Sequence, residues 1–150
     1  MTWEGEGSIH QIGPSEMIFQ GAFAGIIYFE TPTGDLDGAF ATCPATQRIN
    51  IELGTTTGTG QCEITISSED VVYAEWHCDG EPGDCRGKFN LVSGLGRFVG
   101  VTGQSDFRVR SIMAQLIGDD ASGASQNVGQ GIALLPNLTF HLPEQHVPEQ

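Results

Sequence analysis

Val71-Val72-Tyr73-Ala74-Glu75-Trp76-His77-Cys78 is the stretch whose reading decides the fold. It is rich in β-branched and aromatic residues and has no helical period. An extended chain turns successive side chains to opposite faces. Tyr73, Glu75 and His77 then share one face, and Val72, Ala74, Trp76 and Cys78 share the other. Asp79-Gly80-Glu81-Pro82-Gly83-Asp84 follows as a turn, and Arg86 to Val92 returns as a second strand.

The same reading extends in both directions from this hairpin. Strands are predicted over Thr2–Ile12, ending at Gly13-Pro14, and over Glu16–Glu30, closed by the turn cluster Thr31–Asp35. Leu36–Thr42 and the alternating run Gln47–Leu53 follow, then a Gly/Thr loop at Gly54–Gly60 and a strand at Cys62–Ile66. Beyond the hairpin come a Gly-punctuated segment, Ser93–Gly103, and a long run, Gln104–Ile117, in which Met113–Gly118 is read as strand. A polar loop at Asp119–Gln126 precedes a last strand over Val128–His141. Many short strands at regular spacing predict an all-β fold, an antiparallel closed barrel of about eight strands. Closure removes the exposed edges that such a chain otherwise presents. Residues 1–142 are read as one domain and 143–150 as a flexible tail.

Composition narrows the partners. The chain has 150 residues, 21 of them Gly and 7 Pro, and a net charge of −13. Glycine at this density without a collagen period suits turns, bulges and barrel corners. So acidic a surface repels phosphate backbones and anionic membranes, so neither nucleic acid nor membrane is an expected partner. No apolar run reaches the ~18 residues of a membrane helix. Met1–Glu6 lacks the basic start and apolar stretch of a signal peptide. The expected location is therefore the cytoplasm, or outside it if a leader has been removed.

The four cysteines bear on that choice. Cys78 and Cys85 flank the turn, where a hairpin sets them opposite each other within disulfide reach. Cys43 and Cys62 are then left to pair across neighbouring strands. Two structural disulfides, four reduced thiols and a zinc site with His77 beside Cys78 all remain open at this stage.

Gly94-Leu95-Gly96-Arg97-Phe98-Val99-Gly100-Val101-Thr102-Gly103 carries a recognisable pattern. A Gly-x-Gly-Arg-Phe-x-Gly-Val-Thr-Gly stretch before a long strand resembles the allene oxide cyclase-like barrel proteins. That group includes plant allene oxide cyclases, dirigent proteins and bacterial cyclases that close spirotetronate rings. The resemblance covers roughly Cys78 to Arg110. It implies a barrel with an apolar cavity open at one end, working without a cofactor by folding a reactive substrate into the shape that cyclises. Phe107 and Val109 match cavity-lining positions of the bacterial relatives, with Val109 standing where they carry a longer side chain. The residues themselves say that Gly94, Gly96, Gly100 and Gly103 permit turns and bulges, that Phe98 and Val101 can enter the core, and that Arg97 can clamp a carboxylate or carbonyl there.

Two assignments follow from the two faces of the decisive stretch. If the Tyr73/Glu75/His77 face lines the lumen, these residues are the catalytic candidates, with Glu75 as the acid or base. If the Trp76 face is inward, the three polar residues are simply solvated. Phe107, Val109, Met113, Trp76 and Arg97 are the candidate substrate contacts, and Arg108 and Arg110, on the other face of their strand, are expected to pair with surface carboxylates. No metal constellation and no cofactor are expected. The function expected is a cofactor-independent cyclase or isomerase acting on an apolar small molecule inside the barrel. The alternatives are a non-catalytic barrel that carries a hydrophobic ligand and an interaction domain with a filled interior. A homo-oligomer is compatible with each.

Overall fold

Extended segments dominate the computed structural model of the protein, which describes residues 1–30, 36–112 and 125–143. Eight strands follow in chain order: β1 (Thr2–Gln11), β2 (Glu16–Glu30), β3 (Leu36–Asn50), β4 (Thr55–Thr65), β5 (Val71–Glu81), β6 (Asp84–Leu95), β7 (Thr102–Ile112) and β8 (Ser125–Leu134). Each pairs antiparallel with its sequence neighbour, and β1 also pairs with β8, so the sheet closes into a ring. The expected all-β sheet of about eight antiparallel strands is met. A short ninth strand, β9 (Thr139–His141), continues β8 along the same side of β7. The register slips by one residue between Arg108↔Leu134 and Gln104↔Thr139, and Ser105 Oγ spans the break to the Pro136 carbonyl at 2.8 Å. The expected tail from residue 144 on, the turn at 31–35, the strand expected at Met113–Gly118 and most of the loop expected at 119–126 lie outside the described residues.

Three local expectations are corrected. Leu36–Thr42 and Gln47–Leu53 are not separate strands: β3 runs unbroken from Leu36 to Asn50 and turns at Ile51–Gly54. The Gly/Thr loop at Gly54–Gly60 is mostly strand β4. Its glycines serve packing: Gly60 lies opposite Trp76, and a Cβ there would sit 2.6 Å from the indole Cε2 and Nε1. The six-residue turn at Asp79–Asp84 shrinks to Pro82-Gly83, with Gly83 in the left-handed region at φ 90°.

The same device recurs around the ring. Trp3 of β1 lies opposite Gly131 of β8, whose added Cβ would come within 2.6 Å of the indole Cζ2. Phe23 of β2 lies opposite Gly5 of β1. Large rings on one strand thus lie flat over glycines on the next, which lets aromatic residues fill a narrow interior. Trp3, Ala41, Ala74, Trp76, Phe89, Val101 and Phe107 are buried members of the resulting core.

Both cysteine pairs are disulfides. Cys43 and Cys62 have their sulfurs 2.01 Å apart, and Cys78 and Cys85 2.07 Å. The Cys43–Cys62 bridge joins β3 to β4 where the ladder is interrupted between Thr42↔Glu63 and Ala45↔Gly60, beside Pro44, which has no N–H to donate. Cys78 and Cys85 are not directly opposed as expected. Cys78 faces Gly87 and Cys85 faces Gly80, so the bridge crosses the hairpin diagonally with Cα atoms 5.5 Å apart.

Candidate functional site

The interior of the ring gathers side chains from most of the strands around one cavity. Alternation on β5 sends Val72, Ala74, Trp76 and Cys78 inward, all of them buried. β2 contributes Phe23, β6 Cys85 and Phe89, and β7 Phe107 and Val109. The aromatic rings form a continuous belt. Centroids are 4.9 Å apart from Trp3 to Phe23, 6.3 Å from Phe23 to Trp76, 5.3 Å from Trp76 to Phe107 and 5.8 Å from Phe107 to Phe89. Around this belt remains a cavity of about 80 Å³, also walled by both disulfides. Its polar lining comprises Gln47, Ser111, Asp84 and Met1, whose ammonium donates to the Ala133 carbonyl at 2.9 Å. Gln47 is already engaged, donating from Nε2 to Thr56 Oγ1 at 2.7 Å.

One polar atom in this region is unmatched. Trp3 is 8% exposed, lines the cavity, and its Nε1 is buried without a hydrogen-bond partner among the described residues. An unpartnered buried donor costs about 1–3 kcal/mol, so folded proteins leave few of them.

The sequence-derived site residues divide three ways. Trp76, Phe107 and Val109 stand on the cavity wall. Met113 lies outside the described residues. Tyr73, Glu75 and His77 are on the outer face of β5, the second of the two assignments open to this stretch, so they are not lumen groups. The reason is steric and hydrophobic. Only one face of β5 can point inward, and Trp76 has the glycines of β4 to lie against. Glu75 and His77 instead border an outer groove of about 680 Å³ with Gln20, Thr46, Thr59 and Gln61. The register row Gln20↔Thr46↔Thr59↔His77 runs straight across four strands of that groove.

Arg97 is also corrected. It does clamp a carboxylate, but outside the core, with its side chain 72% exposed. Gly96, at φ 62°, turns the chain out of β6 into a short 3-10 turn, Gly96–Phe98. Arg97 then donates from its backbone N to Asp70 Oδ1 at 2.9 Å and from Nε to Oδ2 at 2.8 Å. These bonds hold the Asp70 carboxyl below the usual carboxylate range. They also tie the β6–β7 connection to the β4–β5 connection at one end of the ring. Of the two residues expected to enter the core from this motif, Val101 is fully buried and Phe98 is half-buried against it.

Arg108 and Arg110 pair with a surface carboxylate as expected, and both choose Asp84. Arg108 donates from Nε at 3.2 Å and Nη2 at 3.0 Å, Arg110 donates through Nη1, and Arg86 lies 3.7 Å away. Hydrogen bonds from Arg108, then Arg110, lower the Asp84 pKa from 3.8 to about 2 despite partial desolvation. A carboxylate so committed is a poor proton acceptor near neutral pH.

Trp3, Phe23 and Phe89 were not singled out from the sequence. The available signal was the alternation Trp3-Gly5-Gly7 on β1, a large residue followed by small ones on the same face. Comparison of the chain with protein-family models, curated proteins and solved structures finds no match.

Proposed function

We propose that the protein is a non-catalytic β-barrel that holds a small apolar ligand in its interior. The observation that supports this most directly is the cavity of about 80 Å³ lined by the Trp3-to-Phe89 aromatic belt and two disulfides. Pockets for drug-sized molecules run to about 300–1,000 Å³, and one water occupies about 30 Å³ in the liquid. The guest that suits this space is a compact molecule of a few heavy atoms. The cyclase or isomerase reading draws less support. Its acid–base candidates Tyr73, Glu75 and His77 point away from the cavity, and a polyene needs several times the volume. The finer fold reading, an allene oxide cyclase-like or calycin-like barrel, rests on the Gly94–Gly103 motif and on the closed eight-strand ring. Two disulfides favour an oxidising compartment as the working location.

Xenon binding followed by amide chemical shifts tests the ligand reading. Xenon enters dry apolar cavities, so saturable shifts are expected at Trp76, Phe107 and Val109. Val109→Phe fills the space and is expected to abolish them, at a stability cost of about 1–3 kcal/mol for overpacking. Absence of saturable shifts in the unmodified protein would remove the proposal.

A further inference from the structure

We infer that the guest of this cavity is a neutral molecule bearing one hydrogen-bond acceptor, a carbonyl or ether oxygen on an apolar body, and that Trp3 Nε1 is the group that recognises it. The inference rests on the reading of the interior as a ligand site and names the chemistry of that ligand. Trp3 lines the cavity, is more than nine-tenths buried, and carries a donor with no partner among the described residues. Indole N–H donates and never accepts, so the complementary group is an acceptor. Buried tryptophan normally finds such a group.

The rest of the cavity decides the charge of the guest. Its walls are mostly aromatic rings, aliphatic side chains and disulfides, with Met1, Gln47, Asp84 and Ser111 among them. The arginines that might neutralise an anion are already engaged: Arg86, Arg108 and Arg110 surround Asp84, and Arg97 is held by Asp70. The Met1 ammonium beside the cavity already donates to the Ala133 carbonyl at 2.9 Å, and burial lowers its pKa, so an anion entering this low-dielectric space gains too little to offset its lost hydration. A cation would meet the Met1 ammonium and, in Asp84, a carboxylate already shared among arginines. A neutral acceptor is the chemistry left.

Acetone and isobutene, isosteres differing in the acceptor, are the probes. The chain has two tryptophans, so an indole-labelled sample gives two N–H resonances to follow. Acetone is expected to move the Trp3 indole proton downfield and leave that of Trp76 in place. Isobutene is expected to perturb neighbouring amides without the downfield shift. Trp3→Phe is expected to weaken acetone about five-fold more than it weakens isobutene. Isobutene binding with no acetone-specific shift at Trp3 would overturn the inference while leaving the cavity reading intact. Binding of neither probe would overturn both. The measurement on the unmodified protein stands even if Trp3→Phe fails to fold.

Discussion

Gly60 and Trp76 face each other across the β4–β5 ladder, and the indole lies where a Gly60 side chain would be. The contact couples a loop-like sequence, Thr55-Thr56-Thr57-Gly58-Thr59-Gly60, to the placement of the largest residue on β5. Gly60→Ala must therefore displace the Trp76 ring. It is expected to lower unfolding free energy by about 1–3 kcal/mol, as overpacking does, and to alter the near-UV circular dichroism. Gly13→Ala is the control, since its Cβ would meet Glu16 Cβ at an ordinary 3.7 Å. Urea unfolding of both variants makes the comparison.

The two disulfides close loops of different length, with sequence separations of 19 and 7. If restriction of the unfolded chain dominates, the Cys43–Cys62 bridge contributes about 3 kcal/mol and the Cys78–Cys85 bridge about 2 kcal/mol. Paired Cys→Ala variants measured by denaturant titration are expected to fall in that order. The reverse order would mean that native-state packing, not chain entropy, sets their worth. Mass analysis of the unreduced protein is expected to show all four thiols oxidised.

The acid side of the stability profile is set in part by Asp84 and Asp70, whose arginine partners lower their folded-state pKa values. A lowered folded-state value stabilises the protein above the unfolded-state pKa. For Asp84 that contribution is lost as pH falls from about 4 through about 2. Thermal melts across this range are expected to show a shallower acid slope for Asp84→Asn than for the unmodified protein. Equal slopes would show that the arginine cluster does not act on folding.

Glu75→Gln and His77→Ala test the outward placement of the polar face of β5. Both are expected to leave interior xenon binding unchanged and stability within about 0.5 kcal/mol, as for surface positions. Loss of xenon binding in either variant would mean that this face reaches the cavity.

Much of the architecture was legible in local pattern. The alternation over Val71–Cys78, the turn chemistry at Pro82-Gly83 and the partition of β7 into Phe107/Val109 and Arg108/Arg110 faces all stand in the structure. Less legible was anything that depends on a neighbouring strand. Gly58 and Gly60 read as a loop because glycine weakens an isolated strand. In the ring they are the space that Trp76 occupies. Arg97 read as a core clamp because its carboxylate partner, Asp70, is distant in sequence and is brought near only by the meeting of two connections at one end of the ring.

Sequence alone determined which side chains share a face, because a period of two is a property of any extended chain. It also determined that the sheet had to close or cover its edges. Only the tertiary structure decided which face of β5 is inside, which cysteines bond, and how much space remains. Those are properties of contacts between strands. The cavity is the small difference between what eight strands enclose and what Trp3, Phe23, Trp76, Phe89 and Phe107 fill, and that difference exists only once the ring is shut.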